Sequence, residues 1–86
     1  MSILWDDKAF EDFFNWMQTD RKTAVKIYKL VQDIQRNGIA QGIGKPEALR
    51  YRKEWSRRID EKNRLVYTQD EDGTLLIRAC KGHYDD

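Results

Sequence analysis

The sequence predicts an α+β fold, a two-helix hairpin packed on a twisted antiparallel β-sheet. Two observations lead there. Apolar residues recur at helical spacing between Phe10 and Ile34, and after Trp55 the period drops to two, with Asp- and Gly-containing turns cutting the rest into short segments. Helices gathered early in the chain and a strand meander gathered late pack as helices on one face of a sheet. The opposite face is then open to carry polar side chains.

Each element follows in order. Ser2 to Trp5 reads as a short strand. Asp6 is a candidate N-cap with acidic residues behind it. Phe10, Phe13, Phe14 and Met17 then fall at i, i+3, i+4 and i+7, a stripe expected to face the core. A second helix is expected after Asp20, another candidate N-cap. Its buried stripe would be Ala24, Ile27, Tyr28, Val31 and Ile34, and Gly38 would end it. So short a connection makes the two helices an antiparallel hairpin. Gly38, Gly42, Gly44 and Pro46 punctuate a loop over residues 38–54. Residues 55–60, 64–69 and 74–81 read as strands, with turns at Glu61-Lys62-Asn63 and Asp70-Glu71-Asp72-Gly73. Alternation places Arg58 on the side of its strand opposite Trp55, Arg57 and Ile59.

Composition narrows the function classes. Residues 1–86 leave room for a single domain, and 40% apolar content with three tryptophans excludes a disordered tail. No stretch of apolar residues is long enough to span a bilayer, and the N-terminus lacks the basic start and apolar run of a signal peptide, so a cytoplasmic protein is expected. Cys80, the one cysteine, excludes an internal disulfide and any multi-cysteine zinc site. The net charge of +1 hides a pattern. Residues 45–64 carry eight bases and four acids, whereas residues 1–20 carry one base and five acids, and residues 65–86 two and five. A local basic patch of this kind attracts phosphates, and arginine forks match their oxygens in pairs; a solvated charged face would have the same composition.

No Gly-rich phosphate loop, Ser-His-Asp set or metal-ligand spacing is present. What remains is one histidine, His83, a glutamate after a proline, Glu47, and the arginines between them. Those types suit metal-independent cleavage of RNA, with no cofactor. The RNA's own 2′-hydroxyl attacks the adjacent phosphorus. That needs a base for the hydroxyl, cations for the added charge on phosphorus and an acid for the departing 5′-oxygen. Glu47, the Arg58/Arg64 group and His83 could take those roles if the sheet brings them together.

Four segments in register carry a family resemblance: Gly44-Lys45-Pro46-Glu47-Ala48-Leu49, Trp55-Ser56-Arg57-Arg58-Ile59, Arg64-Leu65-Val66-Tyr67 and Cys80-Lys81-Gly82-His83-Tyr84. Together they resemble the YoeB/Txe toxins of the RelE superfamily, over almost the whole chain. The resemblance implies a microbial-ribonuclease-like fold and ribosome-dependent cleavage of mRNA at the A site. It also implies a YefM-type antitoxin as partner and a homodimer. By position it makes Glu47 the general base, Arg64 the arginine that stabilises the phosphorane and His83 the general acid. Arg50 and Arg58 become phosphate-binding residues, and Tyr84 closes the site. The chain departs from the family pattern in a shorter stretch between Glu47 and Trp55, and in Asp85-Asp86 after Tyr84. Two other functions fit such a fold: a toxin that binds a protein target such as a topoisomerase, and a noncatalytic RNA-binding module.

Overall fold

The computed structural model describes Met1–His83. The chain runs β1 (Ile3–Trp5), α1 (Asp7–Thr19), α2 (Arg21–Asn37), β2 (Glu47–Ala48), β3 (Trp55–Arg58), β4 (Arg64–Gln69) and β5 (Leu75–Ala79). Asp20 ends α1 and starts α2. Its carboxylate accepts from the Thr23 amide at 3.2 Å and the Thr23 hydroxyl at 2.8 Å, so one side chain satisfies the exposed amide end of the second helix. Asp6 stands at the N-cap of α1 but its side chain makes no capping bond; Oδ1 instead faces Arg78 of β5 at 3.5 Å.

The α+β architecture is as expected, with two additions. The five strands lie in the order β1-β5-β4-β3-β2, and the three pairings among β2–β5 are antiparallel. The first strand pairs with β5 in parallel, Ile3 beside Leu75 and Trp5 beside Ile77, so the sheet is mixed. The second addition is β2, two residues inside the stretch expected to be loop. It is too short to show a period.

Both helices cover one face of the sheet. The core joins Ala9 of α1 and Ile27, Leu30, Val31 and Ile34 of α2 to Leu65 and Tyr67 of β4, Leu75 and Ile77 of β5, and Cys80. The α2 stripe is as read except at Tyr28, which is exposed. On α1 the expected stripe is corrected. Phe10, Phe14 and Met17 are exposed, and the side turned inward is Ala9, Asp12, Phe13 and Trp16. Two apolar stripes lie one residue apart on this helix, and packing selects the one led by a small residue. Ala9 lets the backbone come close enough for the Cys80 thiol to donate to the Ala9 carbonyl at 3.3 Å, while Trp16 Nε1 donates to the Cys80 carbonyl at 3.0 Å. A phenylalanine at position 9 would hold the helix off the sheet. Asp12, buried at this interface, pairs with Lys8 at 3.1 Å.

One buried cation organises the loop after α2. Arg57 has no exposed surface, yet every bond it makes is to an oxygen. Nε donates to the Tyr67 hydroxyl at 2.9 Å. Nη1 reaches Asp33 Oδ2 at 2.5 Å and the Ile43 carbonyl at 3.0 Å, and Nη2 reaches the Gly38 and Gln41 carbonyls at 2.9 and 2.6 Å. Partial burial works against the charged form of Asp33. The bonds from Arg57, the Ile43 amide and Asn37 outweigh it and hold the carboxyl below its ordinary range. The loop is wrapped so closely round this pair that a Cβ on Gly42, at φ +122°, would collide with Asp33 and Arg57.

Candidate active site

The face of the sheet away from the helices carries Ser56, Arg58, Arg64 and Val66, because their neighbours in sequence turn toward the core, and register adds Glu47 opposite Ser56; Ser56 and Val66 are themselves buried, so the polar groups open to solvent lie at the ends of this face. Register then decides which of them meet. Glu47 of β2 lies opposite Ser56, and Arg58 is the next residue along β3 on the same side. Arg58 lies directly opposite Arg64 of β4. The Arg64 amide donates to the Gly82 carbonyl at 2.9 Å, and the Gly82 amide donates to Asn63 Oδ1 at 2.9 Å. His83 therefore leaves the chain beside Arg64. Glu47, Arg58, Arg64 and His83 share one end of the open face although 36 residues separate the first from the last. Tyr84 lies outside the described residues. Arg50 stands apart from this group, in the turn after β2.

Each position has a local cause. Glu47 is set by the loop that Arg57 holds: the Gly44 carbonyl accepts from the Arg58 amide at 2.7 Å, and Lys45, at φ +53°, swings the chain into β2. The turn before Arg64 is built on Asp60. Its Oδ1 accepts from the Lys62 and Asn63 amides at 2.8 and 2.7 Å, and Asn63 Nδ2 closes on both carboxylate oxygens. Burial opposes the charge on Asp60, but these bonds and the Lys62 cation prevail and lower its pKa. Asn63 thus ties the start of β4 to the segment that ends in His83. Glu47, Arg58 and His83 are exposed, and Arg64 is half-buried.

The electrostatics of this end leave its cations uncompensated among the described residues. Like charges facing each other across a ladder destabilise it, and Arg58 faces Arg64. Arg64 Nη1 is also buried with no hydrogen-bond partner among the described residues. A guanidinium N–H withdrawn from water without an acceptor costs free energy that a bound phosphate oxygen would return. Sequence reading did not find three of the supporting groups: Arg57 under the site, Asn63 beside it, and Arg78 with Glu54 further along the face. Arg78 is the extra residue of a bulge where the register slips between Val66 and Tyr67, and its Nε donates to buried Glu54 at 3.0 Å. Arg52 is paired with the same carboxylate.

A family model for YoeB-like toxins of bacterial type II toxin–antitoxin systems matches residues 5–84. The chain belongs to that family. It is 41% identical over 86 residues to the toxin YoeB of Escherichia coli K12, covering 98% of this chain and all of that one. Its fold matches the YoeB dimer from Staphylococcus aureus with a TM-score of 0.91 at 44% identity, over 98% of each chain. It also matches the toxin in the heterotetrameric YoeB–YefM complex of S. aureus, with a TM-score of 0.89 at 43% identity over 98% of each chain. As a member of this family the chain is the toxin of a type II toxin–antitoxin module. No helix among the described residues is long and apolar enough to cross a membrane.

Proposed function

We propose that this toxin is a ribosome-dependent mRNA endonuclease that cuts translated mRNA at the A site without a metal. The observation that carries this reading is the opposed Arg58 and Arg64, with a buried Nη1 that has no partner among the described residues, set between strand-borne Glu47 and the segment leading to His83. In the reaction Glu47 takes the proton of the 2′-hydroxyl. The freed oxygen forms a bond to the adjacent phosphorus. Arg64 and Arg58 hold the equatorial oxygens as negative charge builds on them. His83 then gives a proton to the 5′-oxygen as its bond to phosphorus breaks, leaving a 2′,3′-cyclic phosphate and a 5′-hydroxyl. Arg50 and Tyr84 contribute further contacts to the RNA. The exposed positions of Glu47 and His83 suit a site completed by another surface, and a ribosome that aligns the message would supply much of the rate through positioning.

The partners follow from the family and from one surface of this chain. The YoeB toxins of S. aureus form a dimer and a complex with YefM, and this chain is assigned the same two partners, a second copy and a YefM-type antitoxin. Exposed Phe10, Phe14, Met17, Val25 and Tyr28 on the outer side of α1 and α2 support a protein-covered surface there. The deciding experiment adds purified protein to translating ribosomes and maps mRNA ends. Cuts within the A-site codon that vanish in His83→Ala and Arg64→Ala are expected. Translation arrest that persists in both variants without cuts would replace the nuclease with a toxin acting on another target, a topoisomerase among them.

A further inference from the structure

The turn joining β2 to β3 has a composition and a shape that the cleavage chemistry leaves unexplained. It is a tight hairpin, closed at its base by the Leu49 amide on the Glu54 carbonyl at 2.9 Å and braced by the Thr68 hydroxyl on the Lys53 carbonyl at 2.9 Å. Leu49 and Glu54 at the base are buried. Everything between them, Arg50, Tyr51, Arg52 and Lys53, is exposed. Tyr51 is 77% exposed and does nothing for the core. The Arg50 guanidinium lies over its ring, 5.7 Å from the centroid, which limits where the ring can go. A braced turn that holds an aromatic ring in water among three cations is a small stacking platform inside a positive field.

We propose that this hairpin is a subsite for single-stranded RNA, in which Tyr51 stacks on a base flanking the cleaved bond while Arg50 and Lys53 track the backbone. The proposal rests on the nuclease reading for its substrate but not for its chemistry. Tyr51 is four residues from Glu47, so it lies at most about 14 Å away along an extended chain and nearer in a turn. That distance suits a neighbouring nucleotide rather than the reacting one. Stacking on a π-face tolerates any base, which fits a nuclease that must act on many messages. Arg52 is held by Glu54, which also binds Arg78, so within the turn Arg50 and Lys53 are the cations offered to a backbone.

The test uses the full chain and a short fluorescein-labelled single-stranded RNA of mixed sequence, read by fluorescence anisotropy. Removing one stacked base contact weakens binding about tenfold, so Tyr51→Ala should lose about that factor while Tyr51→Trp stays within about twofold of wild type. Tyr51→Leu, bulky but without a π-face, should bind like the alanine variant. In the ribosome assay Tyr51→Ala should raise the toxin concentration needed for half-maximal cleavage and leave the saturating rate unchanged. No binding by wild type, equal binding by Tyr51→Ala, or a tryptophan variant as weak as alanine overturns the subsite. Failure of the nuclease reading shows separately, as intact mRNA on ribosomes treated with wild-type protein. Tyr51 has no packing role, so all three variants should keep the wild-type circular dichroism spectrum.

Discussion

Replacing Arg57 tests the central structural claim, that one buried cation anchors the loop leading to the site. Arg57→Met keeps much of the side chain's length and removes all five hydrogen bonds. The Asp33 carboxylate then loses its cation in a setting where the side chains of the pair are 0% and 15% exposed. Breaking a buried ion pair from one side costs about 3–5 kcal/mol. A chain of this length has a total stability of about 4–13 kcal/mol. At about 4–8 °C per kcal/mol, melting should fall by at least about 12 °C, and the variant sits near the limit of folding. Asp33→Asn removes the charge but keeps an acceptor, so it should cost less, about 1.5–3 kcal/mol. In the double variant the carboxylate is no longer stranded, and the loss should be smaller than the sum by about 0.5–3 kcal/mol. The pH dependence has a definite sign. The folded carboxyl of Asp33 is depressed, so its contribution is present above the unfolded value near pH 4 and is lost as pH falls through the folded value. Asp33→Asn should flatten that acid limb. Melting of Arg57→Met within about 5 °C of wild type, or strict additivity in the double variant, would refute the anchoring role.

Other expectations follow from the same geometry. Arg64→Ala should abolish cleavage yet leave melting nearly unchanged, because the buried Nη1 it removes has no partner among the described residues; a large fall in melting temperature would mean the arginine is structural. Burial pushes the Cys80 thiol up to about 12, with the Asp12 charge adding to the effect. The unfolded thiol ionises first, so stability should decline between about pH 9 and 12, and Cys80→Ala should lessen that decline in alkaline melts. The same thiol should resist alkylation in the native protein at neutral pH, and Cys80→Ser should keep activity; rapid labelling of folded protein would contradict its burial. Gly42→Ala, forced to φ +122° against Asp33 and Arg57, should cost about 2 kcal/mol or more in denaturant melts, whereas Gly82→Ala, with nothing near its Cβ among the described residues, should cost only the strain of its positive φ.

The sequence carried the helices and the three longer strands because each spans enough residues to show a period. It did not carry the buried side of α1. Phe10, Phe14 and Met17 form as good a stripe as Ala9, Phe13 and Trp16, and hydrophobicity alone favours the larger side chains. The choice is made by close approach to β5, a tertiary property that only the Ala9 and Cys80 contacts reveal. Two facts follow from one cause: the helix packs tightly through its small residue, and its large residues Phe10, Phe14 and Met17 are left exposed. The parallel pairing of β1 was hidden for a similar reason, since three residues say nothing of where their neighbour comes from.

The candidate site was legible as residue types and was assembled by register. Glu47, Arg58, Arg64 and His83 can be picked from the sequence as groups able to move protons and hold phosphate. That they share one end of a sheet depends on three pairings: Glu47 with Ser56, Arg58 with Arg64, and Arg64 with Gly82. A shift of one residue in any of these would turn a member to the other face. What prevents that shift is the apparatus the sequence did not announce. Asp60 and Asn63 fix the turn before β4, and Arg57 fixes the loop before β2 from inside the core. Arg57 and Arg58 are adjacent and chemically identical, yet alternation sends one inward to five oxygens and the other outward to face Arg64. The inward arginine has every donor direction occupied; the outward pair is left with unmet electrostatic demand. That contrast within one dipeptide is the physical argument for a phosphate at this end of the open face.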